Sequence, residues 1–138
     1  MTRVLVADDE KLTLNGVAEI VKNLDGFSLA GLAENGEEAL RLIEEEKPDI
    51  LISDIRMPRM DGMHLIEQIE KRKLILPIII ISAYDDEEYI KKAIRCGNVC
   101  DYLFKPFLPE DLRESLKSVS AFVSGDEKKK DEKGFDDR

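Results

Sequence analysis

Five residues of this 138-residue chain have the types and positions to do chemistry together: Asp8, Asp9, Asp54, Ser82 and Lys105. Asp54 closes the run Ile50-Leu51-Ile52-Ser53, whose apolar, β-branched character predicts a buried strand. Asp8-Asp9 follow Val4-Leu5-Val6, Ser82 follows Ile78 to Ile81, and Lys105 follows Tyr102-Leu103-Phe104. A carboxylate at the end of a buried strand is costly unless something pairs with it or uses it. Asp54 is therefore expected to be a nucleophile that accepts a phosphoryl group.

The elements that must position these residues follow from periodicity. Five strands are predicted, at Val4–Val6, Phe27–Ala33, Ile50–Ser53, Ile78–Ile81 and Tyr102–Phe104. Leu12, Leu14, Val17, Ile20, Val21 and Leu24 recur at helical spacing, and Gly26 stops that helix. Asn35 caps the second helix with Glu38 at the reciprocal position, Ala39, Leu40, Leu42 and Ile43 line it, and Pro48 follows its end. The third helix follows Asp61-Gly62 and turns Leu65, Ile66 and Ile69 inward. Asp85, with Glu88 three residues on, caps a fourth helix lined by Ile90, Ala93 and Ile94. Pro109 opens the fifth, carried by Leu112, Leu116, Val119 and Phe122. Alternating strands and helices predict a doubly wound, three-layer α/β/α sandwich on a parallel sheet. Residues 1–123 make one domain, and the mixed-charge stretch 124–138 is expected to be a disordered tail or linker.

Composition narrows the function. Hydrophobic content of 43% and charged content of 37% fit a soluble globular domain. A formal net charge of −9 offers no basic field for nucleic acid or an anionic membrane surface. The start of the chain carries no signal-peptide pattern, and Leu74 to Ile81 is too short to span a bilayer. Cys96 and Cys100 have neither redox nor zinc spacing and are expected to be reduced thiols in a cytoplasmic protein. His64, the one histidine, is expected at the surface.

In open α/β sheets, ligands bind beyond the carboxyl ends of the strands, where strand order reverses. If strands one and three are neighbours, three carboxylates meet at one edge, with a hydroxyl and an ammonium from the strands beyond. The motifs Asp8-Asp9, Asp54-x-x-Met57-Pro58-x-x-Asp61-Gly62, Ser82-Ala83 and Asp101-Tyr102-x-x-Lys105-Pro106-Phe107 resemble those of the receiver domain of two-component response regulators. The resemblance covers residues 2 to about 122. It implies a flavodoxin-like five-stranded sheet in the order 2-1-3-4-5 with five helices.

The same resemblance implies the site's roles. Asp9 and Asp54 ligate a cation directly, Asp8 acts mainly through water, and the backbone carbonyl of Arg56 adds a ligand. Clustered carboxylates repel, and Mg²⁺, with Mn²⁺ as a substitute, answers that repulsion at a site of few protein ligands. Asp54 takes its phosphoryl group from a sensor histidine kinase or a phosphotransfer protein, and Lys105 and Ser82 stabilise it. The family holds the Lys105–Pro106 bond in cis. Ser82 and Tyr102 form the switch, and a homodimer through the helix 4–strand 5–helix 5 face is implied. Arg56 and Tyr84 sit where the family tunes hydrolysis, and their bulk predicts slow water attack.

One departure stands out. Gly97-Asn98-Val99-Cys100-Asp101-Tyr102 is one residue longer than the family spacing, and the extra residue is expected between the fourth helix and fifth strand. An aspartyl phosphatase of the haloacid dehalogenase type would need a second Asp where Arg56 stands. A flavodoxin-like electron carrier would need a phosphate cradle where Asp8-Asp9-Glu10 repel one. No enzyme turning over a substrate is expected. The expected output is a transcriptional regulator's domain beyond these residues, with a stand-alone receiver or interaction module as the alternative.

Overall fold

Five parallel strands form one sheet in the order β2-β1-β3-β4-β5, in a computed structural model that describes residues 1–83 and 87–133, the stretch 123–133 as helical backbone alone. The strands are β1 (Thr2–Ala7), β2 (Phe27–Ala33), β3 (Ile50–Asp54), β4 (Ile78–Ser82) and β5 (Val99–Phe104). Between and after them run α1 (Lys11–Lys22), α2 (Gly36–Glu46), α3 (Gly62–Lys71), α4 (Glu87–Ile94) and α5 (Pro109–Lys133).

The pleat sorts the core into two halves, because successive strand residues point to opposite faces. Leu5, Leu51, Ile78 and Ile80 face α2, α3 and α4 through Ile43, Leu65, Ile66 and Ile90. Val4, Val6, Ile50, Ile52, Ile79 and Ile81 face α1 and α5 through Val17, Val21, Leu112 and Leu116. β3 and β4 are buried along their whole length. Their continuous apolar runs are what a sheet covered on both faces requires.

Side-chain caps begin α2 and α3 as their residue types dictate. Asn35 Oδ1 accepts from the Glu38 amide at 2.8 Å, while Glu38 Oε1 accepts from the amide of Glu34, one residue earlier than the expected reciprocal contact. Asp61 caps α3, accepting from the His64 amide at 2.9 Å. α1 ends at Lys22, and the turn into β2 uses Gly26 at φ +88. The expected cap Asp85 lies outside the described residues.

Three apolar positions assigned to inward stripes are exposed instead: Leu12 at 90%, Ile94 at 45% and Phe122 at 64%. Leu12 and Ile94 stand at the ends of their helices, where the sheet no longer lies beneath, and Phe122 stands midway along α5. Ser120 Oγ already meets Thr2 Oγ1 at the first residue of β1, so Phe122 has passed the sheet's edge. The extra residue before Tyr102 is also placed differently from expectation. β5 begins at Val99, and its register with β4 steps from Ile78↔Val99 to Ile79↔Asp101, leaving Cys100 unpaired in a β-bulge. The insertion sits inside the strand, not in the loop before it.

Candidate functional site

The carboxyl ends of β1, β3, β4 and β5 bring the expected residues together. Asp8 and Asp54 are buried and Asp9 is exposed, and one carboxylate oxygen from each lies within 4.8 Å of the others. Asp54 Oδ1 accepts the Ile55 amide at 2.7 Å, and Oδ2 accepts the Lys105 ammonium at 3.1 Å. Burial, and secondarily the charge of Asp8, push the Asp54 carboxyl up to about 6, against the opposing pull of Lys105 and the Ile55 amide. Burial disfavours the charge on Lys105, but Asp54 and Asp8 outweigh it and raise that pKa well above the ordinary lysine range.

Backbone contacts hold this arrangement. The Lys105 amide donates to the Ser82 carbonyl at 2.7 Å, and the Asp8 amide donates to the Ala33 carbonyl at 3.0 Å. The Lys105–Pro106 peptide bond is cis. Gly62 donates to the Ile55 carbonyl at 2.6 Å, and a Cβ at this position would overlap the Asp54 carbonyl oxygen. Glycine is required there because the loop between β3 and α3 folds back against the strand that carries Asp54. Gly36 makes the same kind of approach to the Met60 carbonyl from the other side.

Among the described residues, two buried side-chain oxygens have no hydrogen-bond donor, Asp8 Oδ2 and Ser82 Oγ, and both face this chemistry. Lys105 Nζ stands 3.0 Å from Asp8 Oδ2, but off hydrogen-bond geometry, so the contact is an ion pair only. Buried polar atoms without partners are rare in native proteins and call for a partner. A hard oxygen set with one orphaned carboxylate oxygen fits a divalent cation of the Mg²⁺ kind.

Other expected residues fall nearby with different surroundings. Tyr102 is 39% exposed, its ring edge-on to Phe104 at 5.4 Å between centroids. The Arg56 guanidinium lies 5.5 Å from the centroid of the Tyr89 ring, a cation–π distance. These two residues, with Asp9, Met57, Pro58 and Asp61, line a cleft of about 450 Å³ opening beside the acids. Tyr84 lies outside the described residues. His64 is exposed and pairs with Asp61 through Nδ1 at 2.9 Å. Burial raises both cysteine thiols above their usual pKa, keeping them protonated and weakly nucleophilic.

Two partners escaped the reading of motifs. Glu10 takes a hydrogen bond from Lys105 at 3.1 Å, which together with Thr13 holds its carboxyl below the usual range. Tyr89 belongs to a helix whose pattern spoke only for Ile90, Ala93 and Ile94. Side-chain reach across elements, not spacing within one, creates both contacts.

Comparison with known proteins agrees with this geometry. A family model described as the response regulator receiver domain matches residues 4–117. The probable C4-dicarboxylate response regulator DctR of Bacillus subtilis is 34% identical over 120 residues, covering 87% of this chain and 53% of that protein. The positive alginate biosynthesis regulatory protein of Pseudomonas aeruginosa is 42% identical over 118 residues, covering 85% of this chain and 46% of its own length. The chain thus spans about half the length of these relatives. Among solved structures, the REC domain of AraT, a response regulator from Geobacillus stearothermophilus, superposes with a TM-score of 0.81 at 36% identity, covering 91% of this chain and 98% of that one. A strand-end acid cluster, its lysine and the 2-1-3-4-5 sheet all agree with that match, and the chain belongs to the response regulator receiver domain family of two-component systems.

Proposed function

We propose that Asp54 is the phosphoacceptor of this receiver and that its modification switches a signalling face. The observation that carries the reading is the meeting at Asp54: Lys105 Nζ at 3.1 Å from Oδ2, and oxygens of Asp8 and Asp9 within 4.8 Å. The family's partners are histidine kinases and phosphotransfer proteins. An ionised Asp54 oxygen attacks the phosphorus of a phosphohistidine, the P–N bond breaks, and the imidazole leaves with the electron pair and takes a proton from solvent. Lys105 holds the transferring oxygens, so most of the catalysis is positioning and charge stabilisation. Asp8, Asp9, Asp54 and the Arg56 main-chain carbonyl would hold Mg²⁺, which when bound neutralises charge on those oxygens.

Phosphorylation replaces one charge with nearly two and adds acceptor oxygens. Ser82 Oγ, buried and without a partner, has a free O–H for one of them. Tyr102, resting half in solvent, has an outward position to leave. Moving an equilibrium from mostly off to mostly on takes about 5.5 kcal/mol. One hydrogen bond to a charged group contributes about 1.5–3 kcal/mol, so Lys105 and the loops must add to Ser82. Arg56, stacked on Tyr89 over the cleft, screens Asp54 from water, with Tyr84 as its expected companion.

The output reading rests on the relatives, whose names describe transcriptional regulators of greater length. We take residues 1–123 as the receiver, 124–138 as the linker toward a DNA-binding domain, and the cytoplasm as its compartment. No helix among the described residues is long and apolar enough to cross a membrane. A stand-alone receiver acting by protein contact is the alternative, including a homodimer through α4, β5 and α5. Incubation with acetyl phosphate and Mg²⁺ tests the core claim by intact mass. Wild type gains one phosphoryl group and Asp54→Asn gains none; equal labelling of both would refute it.

A further inference from the structure

Lys105 serves three carboxylates at once. Its Nζ lies 3.1 Å from Asp54 Oδ2, 3.0 Å from Asp8 Oδ2 and 3.1 Å from Glu10 Oε1. Asp8 and Asp54 are buried in the site, whereas the Glu10 side chain is 63% exposed at the corner between β1 and α1. The same Glu10 oxygen accepts from Thr13 Oγ1 at 3.0 Å, so a single atom ties the ammonium to the first turn of α1. The Glu10 main chain is anchored separately. Its amide donates to Asp8 Oδ1 at 2.9 Å and its carbonyl accepts the Leu14 amide at 2.9 Å.

An ammonium has three N–H donors, and here two of them serve Asp54 and Glu10 while Asp8 is held by charge alone. Adding a phosphoryl group to Asp54 removes that carboxylate's charge and brings nearly two charges on new acceptor oxygens. The donors must then redistribute. Asp8 is enclosed and cannot recover its lost partner from solvent, but Glu10 can, because water stands ready to solvate an exposed carboxylate. Glu10 is the contact that yields.

We propose that Glu10 is a positioning residue for phosphoryl transfer, holding the Lys105 ammonium toward α1 while Asp54 is unmodified and releasing it to the phosphoryl group. The proposal deepens the phosphoacceptor reading of Asp54 and rests on it. Glu10 lowers the rate in two ways, by competing for Lys105 and by repelling an anionic donor. Glu10 keeps its bond from the Thr13 hydroxyl, and both residues line a groove of about 590 Å³ with Val17, Phe107 and Pro109.

The test uses the whole chain, with acetyl phosphate and Mg²⁺, and compares wild type with Glu10→Gln, Glu10→Asp and Asp54→Asn. An exposed carboxylate paired with lysine is worth little, so Glu10→Gln should phosphorylate about twofold to fivefold faster at low salt. That advantage should shrink as salt rises and screens the lost charge. Glu10→Asp keeps the charge and should return to within about twofold of wild type. A Glu10→Gln rate equal to or below wild type overturns the proposal, as does a gain indifferent to salt, which marks a loosened loop. If wild type takes up no phosphoryl group, the Asp54 reading falls and this one falls with it. If wild type is labelled at Asp54 and Glu10→Gln behaves like it, only the role of Glu10 is lost.

Discussion

At Asp54, burial and the neighbouring Asp8 act against the charge more strongly than Lys105 and the Ile55 amide act for it. A carboxyl raised from 3.8 to about 6 binds its proton more tightly in the folded chain than in the unfolded one. Stability is therefore highest below the unfolded value, falls as pH rises through this window, and carries the full cost above it. A change of that size corresponds to about 3 kcal/mol, and screening at the open mouth of the site reduces it to about 1–2 kcal/mol. In a chelating buffer, Asp54→Asn should melt above wild type at pH 7.5, and the gap should close as pH falls toward 4. A calorimetric series showing the mutant less stable at neutral pH would contradict this balance. The carboxylate was legible from sequence as costly, and clustered acids already implied a raised pKa; the structure adds that burial is the larger cause and Asp8 the second.

Element by element, the sheet shows how one chain tolerates an insertion next to its site. Val99 packs on the α2–α3–α4 side of the sheet, while Asp101 turns to the other side and accepts a hydrogen bond from Ser115 Oγ of α5 at 2.7 Å. The alternation on either side of Cys100 is thus correct without it, and the bulge absorbs the extra residue between them. Below the bulge, Ile80↔Tyr102 through Ser82↔Phe104 pair in register and deliver Lys105 to its place. Deleting Cys100 is expected to leave acetyl phosphate uptake within about twofold of wild type, since the pairing on either side of the bulge already fits without that residue. Loss of phosphoryl uptake in that variant would mean that the bulge itself aims Lys105. Counting residues found the surplus from Gly97 to Tyr102, but strand register, a relation between two segments, decided where it went.

The molecule as a whole is held by a sheet covered on both faces, and the site is built on its rigid end. Ile79 is fully buried between β3 and β5, facing α1 and α5. Truncation to alanine there should cost about 2–5 kcal/mol through lost burial and the cavity left behind, read as a lower urea midpoint. Such a loss should leave the phosphoryl transfer rate of the folded fraction near wild type, because the functional residues sit on strand ends and loops above the core. A change in that rate as large as the change in stability would instead mean that the core's packing sets the site's geometry.

With the strand order implied by the family resemblance, the sequence alone determined the order and type of the elements, the parallel sheet and the polar residues closing its strands. Those follow from periodicity, Gly and Pro positions and polar residues at strand ends, all of them local relations along the chain. It could not settle which carboxylate oxygen lacks a donor, that Glu10 shares Lys105, that Tyr89 stacks on Arg56, or that Phe122 runs past the sheet. These depend on distances between segments remote in sequence, and only the packed tertiary structure brings those segments within hydrogen-bond or contact range.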